Sequence, residues 1–177
     1  MKNKYFIVSD VHSYYKELRQ ALKEAGFDMK NEHHIFVSLG DLLDRGDYSD
    51  KCLNFVNRLP AKRKILIRGN HETLLQELLL RQCPLEHDYH NGTYKTVLDL
   101  CKAYMTEDQK NNLYNITDIY DFVKNNKQLN KYLKQLTWYK VINKNIFVHG
   151  WLPCEKIQKM SGIRCKLIED FQNATDE

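Results

Sequence analysis

Short apolar runs alternate with longer amphipathic stretches over the first half of the chain. Tyr5-Phe6-Ile7-Val8, Ile35 to Leu39 and Lys64-Ile65-Leu66-Ile67-Arg68 are rich in β-branched and aromatic residues. They do not alternate in polarity, which is the pattern of strands covered on both faces. Between them the spacing becomes helical. From Tyr14, Leu18, Leu22 and Ala25 fall on one face, and Gly26 closes the segment. A second helix is predicted from about Ser49 to Leu59, with Cys52, Leu53, Phe55 and Val56 inward and Pro60 as its stop. A third is predicted over Glu72–Arg81. Strand, helix, strand, helix, strand in that order predicts parallel strands with crossover helices, an α/β layered domain.

The texture changes from Cys83 to Leu136. A polar stretch, His87, His90, Asn91, Gly92 and Thr93, reads as a loop. Helical patterns follow at Val97–Tyr104, Thr106–Leu113, Ile116–Val123 and Leu129–Leu136. Residues of about 83–136 read as an inserted helical cap over one side of the sheet, within one domain spanning 1–177. Trp138–Ile142 and Ile146–Val148 read as two strands joined by Asn143-Lys144-Asn145. No histidine follows Pro153, and residues 170–177 read as a polar surface tail.

Bulk properties narrow the class. At 177 residues, one domain with a sizeable core is expected. The 42% hydrophobic and 28% charged fractions are those of a globular protein. The net charge, 27 − 23 = +4, is too small to argue for nucleic acid, and no aromatic-basic stripe accompanies it. Lys62-Arg63-Lys64 reads as a solvated strand entrance. The five cysteines are odd in number and form no CxxC pair, and Met1-Lys2-Asn3-Lys4 leads straight into a strand. Reduced thiols and a cytoplasmic location are expected. No apolar stretch has the length needed to cross a membrane.

Candidate chemistry gathers at the strand exits, where parallel α/β folds place ligands. Asp10 and His12 follow the first strand two residues apart; if extended they would project to one side of the backbone, where they can grip one cation. Helix capping by Asp10 is the alternative. Leu39-Gly40-Asp41-Leu42-Leu43-Asp44-Arg45-Gly46 follows the second. There Asp41 offers hard oxygen to a metal, and Arg45 offers a planar fork to a phosphoryl group. Gly69-Asn70-His71-Glu72 follows the third. Asn70 is either an amide-oxygen metal ligand or a helix N-cap, and His71 is placed to give a proton. His149-Gly150 ends the last strand. His87 and His90, in a polar segment, read as surface residues.

Taken together, these motifs resemble those of the calcineurin-like metallophosphoesterases. The likeness is greatest to the phosphoprotein phosphatase branch and its small phage and bacterial serine/threonine phosphatases. The second motif, GDxxDRG, is complete at Gly40–Gly46, and the third, GNHE, at Gly69–Glu72. The first reads Ser9-Asp10-Val11-His12-Ser13, with serine where the family has glycine. The family's final metal-binding histidine has no counterpart before Glu177, so a C-terminally truncated or naturally short form is expected.

The resemblance implies a layered αββα sandwich, incomplete here, with the helical cap inserted. It implies two divalent ions, Mn²⁺ by the habit of bacterial and phage members, with Fe or Zn²⁺ as alternatives. One ion would be held by Asp10, His12 and Asp41, the other by Asp41, Asn70 and His149. Asp44 would orient His71 as the proton donor, and Arg45 would bind phosphate. The implied activity is metal-dependent phosphoester hydrolysis of phosphoserine/threonine proteins. The alternatives are hydrolysis of diadenosine polyphosphates or small phosphomonoesters, and a catalytically weak metal-binding fragment.

Overall fold

The computed structural model describes residues 2–113 and 115–150. Strands β1 (Lys4–Val8), β2 (His34–Ser38) and β3 (Lys64–Leu66) form a parallel sheet in the order β1-β2-β3. Helices α1 (Tyr15–Glu24) and α2 (Ser49–Arg58) connect them. The expected α/β architecture with a parallel sheet is therefore present. The central strand β2 is buried at four of its five positions, as its unbroken apolar run requires.

Register makes the site possible. Phe6 pairs with Phe36 and Phe36 with Lys64; Val8 pairs with Ser38 and Ser38 with Leu66. The three strands thus end in step, and the polar motif that follows each emerges at the same edge of the sheet.

A helical segment lies between β3 and the second pair of strands. It comprises α3 (Asn70–Arg81), α4 (Glu86–His90), α5 (Thr93–Tyr104), α6 (Glu107–Asn111), α7 (Ile116–Lys124) and α8 (Lys127–Leu133). The expected 106–113 helix is shorter than its pattern. Its start is correct: Thr106 and Gln109 cap each other's backbone N–H groups. Helix α5 packs on α2, α3 and α7, and α8 packs on α2. Phe6, Phe36 and Leu66 of the sheet share one core with Leu53, Val56, Leu75, Leu78, Val97, Leu100, Tyr120, Leu129 and Tyr132 of the helices. Each such side chain contributes about 1.5–3 kcal/mol on burial. The later helices are therefore joined to the sheet by a continuous interior.

Strands β4 (Tyr139–Ile142) and β5 (Asn145–Val148) form an antiparallel hairpin. Thr137, just ahead of β4, is stitched to the end of β3. Its N–H donates to Leu66 O at 2.9 Å, and its carbonyl accepts from Arg68 N at 2.8 Å. The hairpin is thereby held beside the sheet edge.

Three local expectations are corrected. Arg63 and Lys64 are buried rather than solvated. Lys64 Nζ donates to Val56 O at 2.7 Å and Arg63 Nη2 to Met29 O at 2.5 Å. Val56 lies in the last turn of α2, whose carbonyls lack helical partners and favour a cation. A charge run read along the chain does not reveal that a neighbouring helix ends beside it. The polar stretch 87–93 is mostly helical, closing α4 and opening α5 around Gly92. His87 and His90 are nonetheless exposed, as expected.

The third correction concerns Asp10 and His12. They are not extended: their φ angles are +52° and +47°.

Cys52, Cys83 and Cys101 are free thiols. Cys154, Cys165 and the 170–177 tail lie outside the described residues. Among the described residues no helix is long and apolar enough to cross a membrane.

Candidate metal and phosphate site

Past Val8 and Ser38 the regular ladder gives way to two loops that run side by side. His12 N donates to Asp41 O and Ser13 N to Leu42 O, each at 2.9 Å. Asp10, His12, Ser13, Asp41, Asp44 and Arg45 all have positive φ. Left-handed backbone costs a non-glycine residue roughly 1–2 kcal/mol, and such residues cluster where a site over-determines them. Ser13, standing where the family has glycine, is held in this conformation by a 2.9 Å hydroxyl contact with Ser49. Both serines are buried.

Asp41 is the hub. Its Oδ2 lies 3.4 Å from His149 Nε2 and 3.9 Å from the Nε2 atoms of both His12 and His71. Its Oδ1 accepts from His71 N at 3.0 Å. Gly69 is pressed against this carboxylate so closely that a Cβ there would overlap it. His12 Nδ1 lies 3.1 Å from Leu43 O, and His149 Nδ1 lies 2.7 Å from Leu39 O. A carbonyl only accepts, so each Nδ1 carries a proton and Nε2 is the ring atom left on the Asp41 side for a cation.

Asn70 Oδ1 lies 3.0 Å from His149 Nε2, and Asp10 Oδ1 lies 4.0 Å from His12 Nε2. Asn70 does not cap α3: it is the helix's first residue, and Gly69 is the N-cap.

All five sequence-expected ligands therefore converge. Two donors of one ion with bonds of about 2.0–2.2 Å stand roughly 3.0–3.5 Å apart, so the Asp41–His149 separation fits a shared cation. The donor atoms fall into two groups with Asp41 common to both: His12, Asp41 and His71, and Asp10, Asp41 and His149. His12 also stands within 4.0 Å of both Asp10 and Asp41, as the expected first set requires. Carboxylate, imidazole and amide oxygen together are a donor set for a borderline divalent ion.

His71 and Asp44 form the second layer. His71 Nδ1 is 2.8 Å from Asp44 Oδ2, and Asp44 is fully buried. This hydrogen bond raises the pKa of His71 above its ordinary value. Burial opposes the rise, and the Asp41 and Asp44 charges support it. Arg45 Nη2 stands 3.3 Å from His71 Nε2. A guanidinium cannot accept, so that contact exists only with Nε2 unprotonated. Asp44, closer and buried, outweighs it. Arg45 and Asn70 are exposed and the Asp10 side chain is 56% exposed, whereas Asp41, His12 and His71 form a buried floor. Among the described residues the site thus has a buried floor and an exposed rim.

Four further residues support the site. Thr93 Oγ1 donates to Asp44 Oδ2 at 2.8 Å, and Thr96 Oγ1 accepts from Asp44 N at 3.1 Å. Glu72 accepts from Asp41 N at 3.0 Å, Leu42 N at 2.9 Å, Gly69 N at 2.7 Å and Tyr132 Oη at 2.7 Å. Glu72 was findable, because a glutamate three residues after a glycine N-cap is the acceptor of a capping box. Thr93, Thr96 and Tyr132 were not, since they arrive from helices 49 to 60 residues away in sequence.

Comparison with known proteins identifies the family. Symmetrical bis(5'-nucleosyl)-tetraphosphatase of Proteus mirabilis is 39% identical over 67 residues, 38% of this chain and 23% of that protein. Serine/threonine-protein phosphatase 1 of Salmonella typhimurium is 36% identical over 69 residues, 39% of this chain and 30% of that protein. The matched stretch thus spans about a quarter to a third of these relatives. The crystal structure of a mutant cold-active protein tyrosine phosphatase shares the fold with a TM-score of 0.58 at 20% identity, covering 100% of this chain and 50% of that one. The profile described as calcineurin-like phosphoesterase matches residues 4–174. This chain belongs to the calcineurin-like phosphoesterase family, whose members are metal-dependent.

Proposed function

We propose that this chain is a phosphoester hydrolase of the protein serine/threonine phosphatase type, and that it uses a water activated between two divalent cations, Mn²⁺ first. The observation that carries the reading is the set of imidazole Nε2 atoms around Asp41 Oδ2, two of them with Nδ1 tied to backbone carbonyls. Asp10, His12, Asp41, Asn70 and His149 would hold the ions. When bound, these ions supply charge neutralisation for the phosphoryl group and acidify the attacking water.

The remaining roles belong to the protein. Arg45, exposed at the rim, offers two parallel N–H groups to phosphate oxygens. Occupied by phosphate, it leaves His71 Nε2 free to carry a proton. Asp44 keeps that imidazole charged and fixes its direction, so His71 donates from Nε2 to the departing alkoxide. The exposed rim of Arg45, Asn70 and Asp10 suits an ester carried on a large molecule, which favours phosphoserine/threonine proteins. A nucleotide reading stands second, because the Proteus relative acts by name on a bis(5'-nucleosyl) tetraphosphate.

Hydrolysis of p-nitrophenyl phosphate, a phosphothreonine peptide and diadenosine tetraphosphate with Mn²⁺ tests this. Asp41→Asn should lose both metal binding and activity. His71→Asn should lose activity yet keep metal binding; loss of Mn²⁺ affinity in that variant would make His71 a ligand instead. No hydrolysis of any substrate by the wild type would leave the metal-binding fragment reading in its place.

A further inference from the structure

Helix α8 reaches the floor of the site through one side chain. Tyr132 is fully buried, and its hydroxyl donates to Glu72 Oε1 at 2.7 Å. The same oxygen accepts from Leu42 N, while Oε2 accepts from Asp41 N and Gly69 N. A buried carboxylate with four donors is fully occupied, so each donor restrains the other three. Glu72 thus clamps the loop carrying Asp41 to the turn carrying Asn70, and Tyr132 limits where that clamp can sit. Asp41 itself needs the restraint, because its φ of +53° is disfavoured without it. Helix α8 is in turn fixed by Asn126 at its N-terminus and by its packing on α2.

We propose that Tyr132 is a positioning residue that sets metal affinity from the helical segment, by holding Glu72 where it fixes the Asp41 backbone. The proposal rests on the reading of Asp41 as a metal ligand. It makes the segment between α3 and β4 part of the ion-binding apparatus rather than a cover laid over it. Groups that support a ligand from outside its coordination shell are worth about 10–100-fold in metal affinity. Removal of one of Glu72's four donors belongs at the lower end of that range.

The experiment compares Mn²⁺ titration calorimetry and thermal unfolding for the wild type, Tyr132→Phe and Tyr120→Phe. Tyr120 is a matched control: it is equally buried, and its hydroxyl has no hydrogen-bond partner among the described residues. Tyr132→Phe is expected to weaken Mn²⁺ binding about tenfold, with Tyr120→Phe unchanged. Hydrogen exchange at the Asp41 and Leu42 amides should quicken in Tyr132→Phe only. A second variant, Glu72→Asp, withdraws the carboxylate from Asp41 N and should weaken binding at least as much. Tyr132→Phe with a lowered melting temperature but wild-type Mn²⁺ affinity would make the tyrosine merely structural and overturn the proposal. Wild-type protein that binds no Mn²⁺ would overturn the metal reading beneath it, a separate and distinguishable failure.

Discussion

Asp44 shows how much of this site depends on single atoms. Its Oδ2 serves both His71 and Thr93, while its Oδ1 is buried with no hydrogen-bond partner among the described residues. Replacing Thr93 by Val removes one of the two donors to Oδ2 and loosens the direction of His71. Hydrolysis of alkyl phosphates, whose leaving group needs a proton, should fall about tenfold or more. Hydrolysis of p-nitrophenyl phosphate, with its good leaving group, should fall less; equal losses on both would argue against His71 as the donor.

In metal-free protein the raised pKa of His71 has a definite sign. The imidazolium stabilises the fold fully below its unfolded value of 6.5, and that contribution disappears as pH rises through the higher folded value. The melting-temperature gap between wild type and His71→Asn should therefore be widest at acid pH and close above it. Gly92 is the other single-atom dependency. With φ of +78° and the Arg45 backbone where a Cβ would stand, it has no room for a side chain. Gly92→Ala should cost about 1 kcal/mol or more and disturb Arg45, measurable as a lower urea midpoint and a raised KM.

Elements are fixed chiefly at their ends. Asn126 Oδ1 accepts from Gln128 N at 2.9 Å and Leu129 N at 3.0 Å, so it caps α8. Asn126→Ala should destabilise the protein by about 1 kcal/mol, and through α8 it should weaken Mn²⁺ binding as well. Lys64 plays the corresponding part at the C-terminal end of α2. Burial pushes its pKa down to about 8, and the nearby Lys131 charge adds to the shift. Between pH 8 and the ordinary value of 10.5, the unfolded chain keeps a proton that the folded protein has lost. Stability from this group therefore rises with pH across that interval. Relative to Lys64→Met, the wild type should gain stability between pH 8 and 10 in chemical denaturation; an unchanged difference would place the ammonium in solvent.

For the whole molecule, the proposed ion binding would be linked to folding, because Asp10, Asp41, Asn70 and His149 come together only when β1, β2, β3 and β5 are assembled. Mn²⁺ at 100 times its dissociation constant adds about 2.7 kcal/mol to stability. In a chain of this size that corresponds to a rise of roughly 5–11 °C in melting temperature. A chelator should reverse it, and Asp41→Asn should show neither the rise nor the reversal. Identical melting curves with and without Mn²⁺ would contradict the metal centre.

The sequence by itself determined the parallel strands, the helical crossovers and the candidate donor residues at the strand exits, because buried parallel strands are unbroken apolar runs and their exits carry the polar residues. Asp10, His12, Asp41, Asn70, His71 and His149 were legible for that reason. What only the tertiary structure decided was direction and support. Asp10 and His12 converge through left-handed backbone instead of an extended strand, and no spacing rule encodes that. Thr93, Thr96 and Tyr132 look like ordinary helix residues in sequence and reach the site only because α5 and α8 fold back over α2 and α3. Lys64 reads as a surface charge until the end of α2 is placed above it. Local chemistry is written in neighbouring residues. The restraint that holds it in position comes from contacts across the fold, which one-dimensional periodicity does not record.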